Sequence, residues 1–183
     1  ANLKESPQFI QVILGPRQVG KTTGILQYLK DEFEADQYLY VSADKTLATP
    51  RDWIAEHWQE ARRKQLLLVI DEIQKIENWA EVVKKLSDED KLNNKPVRCI
   101  LLGSSSLQIQ KGLTESLTGR FQLISAHHWN WSETKQVRAL SLDEYLQYGG
   151  YPGSYALLGN LAEWIGYVRH SIIETVVEKD ILT

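Results

Sequence analysis

The run Gly15-Pro16-Arg17-Gln18-Val19-Gly20-Lys21-Thr22 constrains this chain more than any other stretch of its sequence. It fits G-x-x-x-x-G-K-[ST] at every required position. It also stands in the context that the pattern demands, between an apolar, β-branched segment (9–14) and a segment with helical spacing at Ile25, Leu26 and Leu29. The order strand, glycine loop, helix is that of a phosphate cradle. Glycines let the loop wrap closely so that backbone N–H groups converge on phosphate oxygens, and the helix adds its positive N-terminal end. Lys21 is then expected to neutralise β- and γ-phosphates and the Thr22 hydroxyl to ligate magnesium, with Pro16, Gln18, Val19 and Thr23 contributing to the nucleotide site; Arg17, inside the loop, reads either as a contact to phosphate or a neighbouring carboxylate or as a surface arginine. A glycine-rich turn with a solvated lysine is the bland alternative. It requires the motif match, the preceding strand and the acids downstream to coincide by chance.

The rest of the chain repeats the alternation. Residues 37–42 read as a second strand, and a helix opened by Pro50 places Trp53, Ile54, His57, Trp58 and Ala61 on one face. Residues 66–70 are apolar without alternation, as in a strand covered on both faces. Trp79, Val82, Val83 and Leu86 then predict a helix, with 88–96 as its polar exit loop. Strands over 97–102 and 121–125, with a helix over 107–117 between them, complete an α/β, doubly wound parallel sheet. After Ser125 the pattern is helical: a helix over 141–148, a turn at 149–153, and a helix bearing Trp164, Val168, Ile172 and Val176 on one face. The expected organisation is a core over 1–125 and an incomplete helical lid over 126–183.

In an open parallel sheet, ligands sit beyond the carboxyl ends of the strands, so Asp71 and Glu72, directly after Ile70, are expected to share an edge with the loop. Asp71 is the candidate for the magnesium shell and Glu72 the candidate base that polarises an attacking water. Ser104 or Ser105, at the end of the fourth strand, would reach the γ-phosphate or the water; a helix N-cap is the alternative. Arg120 reads either as an arginine finger acting across a subunit boundary or as a surface salt bridge. The histidines, at 57, 127, 128 and 170, show no metal-ligand spacing. Cys99, the single cysteine, lies in an apolar run and is expected to be buried and inert.

A formal net charge of −3 argues against a surface devoted to nonspecific phosphate-backbone binding. No apolar run is long enough to span a bilayer, so no membrane role is expected and a cytoplasmic protein is.

With GPRQVGKTT at 15–23, DEIQK at 71–75 with Trp79, GSSSL at 103–107, LTESLTGRF at 113–121, GGYP at 149–152 and the final Asp180-Ile181-Leu182, the chain resembles the AAA-superfamily ATPases. The resemblance is closer to a bacterial and archaeal branch whose members carry an uncharacterised C-terminal domain. It implies a P-loop NTPase three-layer sandwich of about five strands in the order 5-1-4-3-2, a Walker A and Walker B pair at the residues named, and a polar sensor at 104–106. It also implies a finger position at Gly119-Arg120-Phe121 and a chain that continues beyond these residues. ATP and Mg2+ are the expected ligands. The further partners would be a second copy of the chain, if Arg120 acts in trans, and a protein or DNA target reached through a C-terminal domain. ATP hydrolysis coupled to conformational change is the leading functional expectation. A nucleotide-operated switch with little turnover and a DNA-associated ATPase are its alternatives. A kinase fits less well, because a glutamate beside the magnesium aspartate suits water activation, and no N-K-x-D follows an apolar strand to favour GTP.

Overall fold

A computed structural model of the chain describes residues 3, 9–45, 52–104, 113 and 115–177. Five parallel strands, β1 (Ile10–Gly15), β2 (Tyr38–Ser42), β3 (Leu67–Asp71), β4 (Cys99–Ser104) and β5 (Phe121–Ser125), form one sheet in the order β2-β3-β4-β1-β5. Read from the other side this is the expected 5-1-4-3-2. The central strands β1, β3 and β4 are buried throughout, which is why their sequences are continuous apolar runs. At the two edges β2 is half-buried and β5 partly exposed. Parallel registers tie β1 to β5 from Ile10↔Phe121 to Leu14↔Ser125, and β2 to β3 from Tyr38↔Leu67 to Ser42↔Asp71.

Helix α1 (Lys21–Glu32) buries Ile25 and Leu29, and α2 (Trp53–Lys64) buries Trp53, Ile54, Trp58 and Ala61. The residues that would show Pro50 opening α2 lie outside the described set, as does most of the helix expected over 107–117; Leu113 and Leu117 are buried in the core. Helix α3 (Trp79–Leu92) corrects the sequence reading, which had ended the helix before a polar loop at 88–96. The helix continues because Asp90 is an inward-facing acid rather than a loop residue. Its Oδ2 accepts from the Trp58 indole N–H at 2.8 Å and the Val97 N–H at 3.1 Å, and Arg62 lies 2.5 Å from its Oδ1. Polarity alone signalled solvent, whereas three partners bring the side chain inside.

The chain divides into two compact units, Ala1–Leu14 with Thr22–Ser125, and Gly15–Lys21 with Ala126–Thr183. The first contains the sheet and its hydrophobic core. In the second, α4 (Trp131–Val137) and α5 (Leu142–Tyr148) each begin with a reciprocal capping box, Asn130 with Glu133 and Ser141 with Glu144. Sequence reading had not anticipated α4. Helix α6 (Leu161–Tyr167) continues through a π-helical stretch, Val168–Ile173, where one face was expected to run at plain α-helical spacing. The unit's small interior centres on Tyr155, whose hydroxyl shares a 2.9 Å hydrogen bond with Thr134, and on Ser154, which accepts from the Trp164 indole.

Candidate functional site

Within the second unit, residues 15–21 form a loop closed by its own lysine. The Lys21 ammonium reaches back to donate to the Gly15 carbonyl at 2.9 Å and the Pro16 carbonyl at 2.7 Å. Two glycines of the motif are required for distinct reasons. Gly20 has φ +89°, a conformation that side-chain-bearing residues rarely adopt, whereas a Cβ on Gly15 would stand 2.1 Å from the Ala126 carbonyl oxygen. Gln18 also takes a positive φ, 65°. Val19 is buried, and its carbonyl accepts from the Trp129 indole N–H at 3.2 Å, which anchors the loop's far side. Arg17 sits on the loop, half-buried, and Thr23 is exposed one residue into α1 from Thr22.

Within the first unit, the carboxyl end of β3 carries Asp71, 3% exposed and therefore part of the strand rather than of the loop after it. Its Oδ2 accepts two hydroxyls, Thr22 Oγ1 at 2.7 Å and Tyr40 Oη at 2.8 Å, while Oδ1 accepts the Glu72 N–H at 2.8 Å. All of these donors are neutral, and among the described residues Asp71 takes part in no ion pair. Burial first, then the hydrogen bond to Asp71 and the charges of Asp71 and Glu72, push the Tyr40 phenol well above its ordinary range, so it stays a donor. Thr22 and Asp71 thus supply hard oxygen donors side by side, the kind that magnesium takes from a protein while keeping water and phosphate for its remaining positions.

Glu72 follows with φ 54°, a left-handed conformation that costs energy for a residue with a side chain and marks a site where the backbone is held by its surroundings. Its carboxylate accepts from the Gln74 amide at 2.5 Å. Ser104, the last residue of β4, is 2% exposed and its Oγ has no hydrogen-bond partner among the described residues. Ser105 lies outside the described residues.

Arg120 precedes β5 and grips Asp88 of α3 with two parallel contacts, Nε to Oδ1 at 2.9 Å and Nη2 to Oδ2 at 3.1 Å. The hydrogen bond to Arg120 holds the Asp88 carboxyl below its usual range, and the same bond raises Arg120. Cys99 is buried and burial pushes its thiol up, the behaviour of an inert core residue. No metal-binding group of histidine, cysteine and acid side chains occurs among the described residues.

Sequence reasoning thus named Thr22, Asp71 and Glu72, and the structure brings these together. It missed Tyr40 and Gln74. The signal for Tyr40 was present in part, because Tyr40 and Ser42 alternate onto one face of β2, but the register that sets them beside Val69 and Asp71 is a pairing fact no single sequence displays.

Residues 7–145 match an AAA domain family, which covers most of the chain. The chain belongs to that family. An AAA domain is a nucleotide-binding, ATPase-like module, and the sheet order and phosphate loop described above are consistent with it. Its similar proteins include an uncharacterized protein of Methanocaldococcus jannaschii, 26% identical over 170 residues, 82% of this chain and 37% of that protein. Another, from Mycobacterium tuberculosis, is 28% identical over 174 residues, 94% of this chain and 36% of that protein. A third, from Haemophilus influenzae, is 26% identical over 196 residues, 94% of this chain and 46% of that protein. The chain therefore spans about a third to a half of the length of these relatives. Among the described residues no helix is long and apolar enough to cross a membrane.

Proposed function

We propose that this AAA domain binds ATP with magnesium and hydrolyses it, using the free energy to change conformation. The observation that carries the reading is Asp71. A carboxylate buried to 3% exposure whose donors among the described residues are all neutral suits a cation, and one of those donors is the hydroxyl of Thr22, the residue that follows the loop lysine. In this reading residues 15–21 take the phosphates and Lys21 leaves its loop carbonyls for the β- and γ-phosphate oxygens. Thr22 and Asp71 hold the metal, which would offset phosphate charge, and Glu72 orients the water. Ser104, buried and with no hydroxyl partner among the described residues, is proposed to contact the γ-phosphate or that water, and Arg120 to stabilise the transition state in a neighbouring subunit.

Calorimetry on the wild-type chain and Lys21→Ala tests the reading. The expected result is magnesium-dependent ATP binding that weakens by about tenfold or more in the variant, since a charge-assisted contact to phosphate is lost. Equal affinities would remove the phosphate-loop reading.

A second reading rests on Glu72 and Arg120. The Glu72 carboxylate is held by Gln74, and Arg120 by Asp88. A domain whose base and finger are both engaged elsewhere would act as a nucleotide-operated switch, binding tightly and turning over only when assembly frees them. Single-turnover and steady-state rates with increasing protein concentration separate the two. The protein or DNA target, and any additional C-terminal domain, are proposed to lie with parts of the protein beyond these residues, as the greater length of the relatives suggests.

A further inference from the structure

We infer that Tyr40 is the positioning residue for the magnesium aspartate, and that it does so by occupying one oxygen of Asp71 so that the other faces the cation shell; this rests on the proposed ATP and magnesium reading. A carboxylate oxygen has two lone pairs in its plane. Oδ2 of Asp71 receives two donors, Tyr40 Oη at 2.8 Å and Thr22 Oγ1 at 2.7 Å, which fills it. Among the described residues Oδ1 receives only the Glu72 N–H. The carboxylate is therefore polarised in its roles: one oxygen is committed to protein and one keeps acceptor capacity for a water of the metal shell.

Thr22 alone could not hold that orientation. Its hydroxyl is itself a proposed metal ligand, so a shift of Thr22 toward phosphate and metal would let an otherwise unrestrained carboxylate rotate with it. Tyr40 donates from a different element, β2, whose register with β3 runs Tyr40↔Val69 and Ser42↔Asp71 and so fixes the phenol on the same face as Asp71. A tyrosine on a half-buried edge strand normally sends its hydroxyl to water. Here it is spent on the one buried carboxylate of the site, which a packing role does not require. Magnesium demands near-ideal octahedral geometry, whereas calcium accepts flexible arrangements. Loss of the Tyr40 hydroxyl should therefore act on the metal and not on the phosphates, and on magnesium more than on calcium.

The experiment measures binding of a non-hydrolysable ATP analogue to the chain by calorimetry while magnesium or calcium is varied, for wild type, Tyr40→Phe, Asp71→Asn and the double variant. For Tyr40→Phe, affinity without metal should stay within about twofold of wild type. The magnesium concentration giving half of the metal-dependent gain should rise about tenfold, the order of effect of one hydrogen bond to a charged group, with a smaller rise for calcium. In the Asp71→Asn background the Tyr40→Phe change should add nothing further. Superimposed magnesium titrations for wild type and Tyr40→Phe would overturn the inference. So would additive losses in the double variant, or a loss of affinity already present without metal, because each assigns Tyr40 to packing. A wild-type chain that binds the analogue no better with magnesium than without it sinks the magnesium reading and this inference together. Wild-type dependence with an unchanged variant sinks only the inference.

Discussion

Asp71 and Asp90 are two aspartates of one unit with nearly the same burial, 3% and 2% exposed, and opposite surroundings. Asp90 is matched by a cation, since Arg62 stands 2.5 Å from Oδ1 while Trp58 and Val97 donate to Oδ2. Among the described residues, Asp71 has hydroxyls and an amide for hydrogen-bond partners and takes part in no ion pair. Burying a carboxylate is expensive unless its charge is paired. At Asp90 the chain supplies the compensation itself, and the residue fastens α2 to α3 and to the approach to β4. At Asp71 the described partners are hydroxyls and an amide, and the proposed reading leaves the compensation to a bound cation. Burial alone therefore does not distinguish a structural acid from a functional one; the charge of its partners does.

The sharpest way to break that comparison goes through the residue beside Asp71. If the charge at the end of β3 holds metal, Glu72 is free to act as base, and Glu72→Gln should keep ATP binding while turnover falls about 100-fold or more, the usual contribution of a positioned base. Steady-state phosphate release alongside calorimetry checks this. Normal turnover would place the base elsewhere and remove the division of labour between the two acids.

The next test sets the aspartates against each other. Asp90→Ala leaves the Arg62 guanidinium without its close counter-charge and the Trp58 indole and the Val97 amide without their acceptor, and breaking a buried pair in this way should cost about 3 kcal/mol or more of stability. Asp71→Asn should change apo stability by less than about 1 kcal/mol, because loss of an acceptor for the Glu72 N–H is offset by removal of an uncompensated buried charge. The same variant should lose most of the extra thermal stability that magnesium and ATP give the wild type. Denaturant titrations with and without ligand report both. Equal destabilisation by the two substitutions would mean that Asp71, too, is a structural clamp.

Asp71 was legible in the sequence and Asp90 was not, for a physical reason. Asp71 ends an unbroken apolar run, and strand ends in a parallel sheet collect at one edge, so position followed from pattern. Asp90 lies in Ser87-Asp88-Glu89-Asp90, which resembles solvent-exposed sequence, and its burial depends on Arg62 and Trp58 reaching it from another helix. The phosphate loop follows from local rules of the same kind as those that exposed Asp71, whereas the strand order was implied only by the resemblance to the AAA-superfamily ATPases, because which strands pair is not a local property. Tyr40, Gln74 and α4, the first capped helix after Ser125, depend on register, on a left-handed turn at Glu72, or on caps that polarity alone does not separate from loop.

Arg120 extends the comparison to a third, exposed acid and carries the smallest expected effect. Its fork on Asp88 is geometrically good, but the side chains are 30% and 39% exposed, and an ion pair in that setting contributes little because water screens it. The hydrogen bond from Arg120 depresses the Asp88 carboxyl, so the pair's contribution is fully present above the unfolded aspartate value of about 3.9 and is lost as pH falls through the lower, folded value. Arg120→Ala should therefore melt slightly below wild type at neutral pH, and the gap should close on acidification below about pH 4. A finger acting in trans leaves a different trace: turnover falls in Arg120→Ala while ATP affinity holds, and mixing that variant with Lys21→Ala restores part of the activity, since a neighbour's intact arginine can serve an intact loop. Mixed assemblies, verified by mass, that recover no activity would leave Arg120 as the partner of Asp88 alone. Recovery would mean that the fork releases Asp88 when a neighbouring subunit presents its nucleotide, and the pH-dependent gap in melting should then disappear in the assembled, nucleotide-bound state.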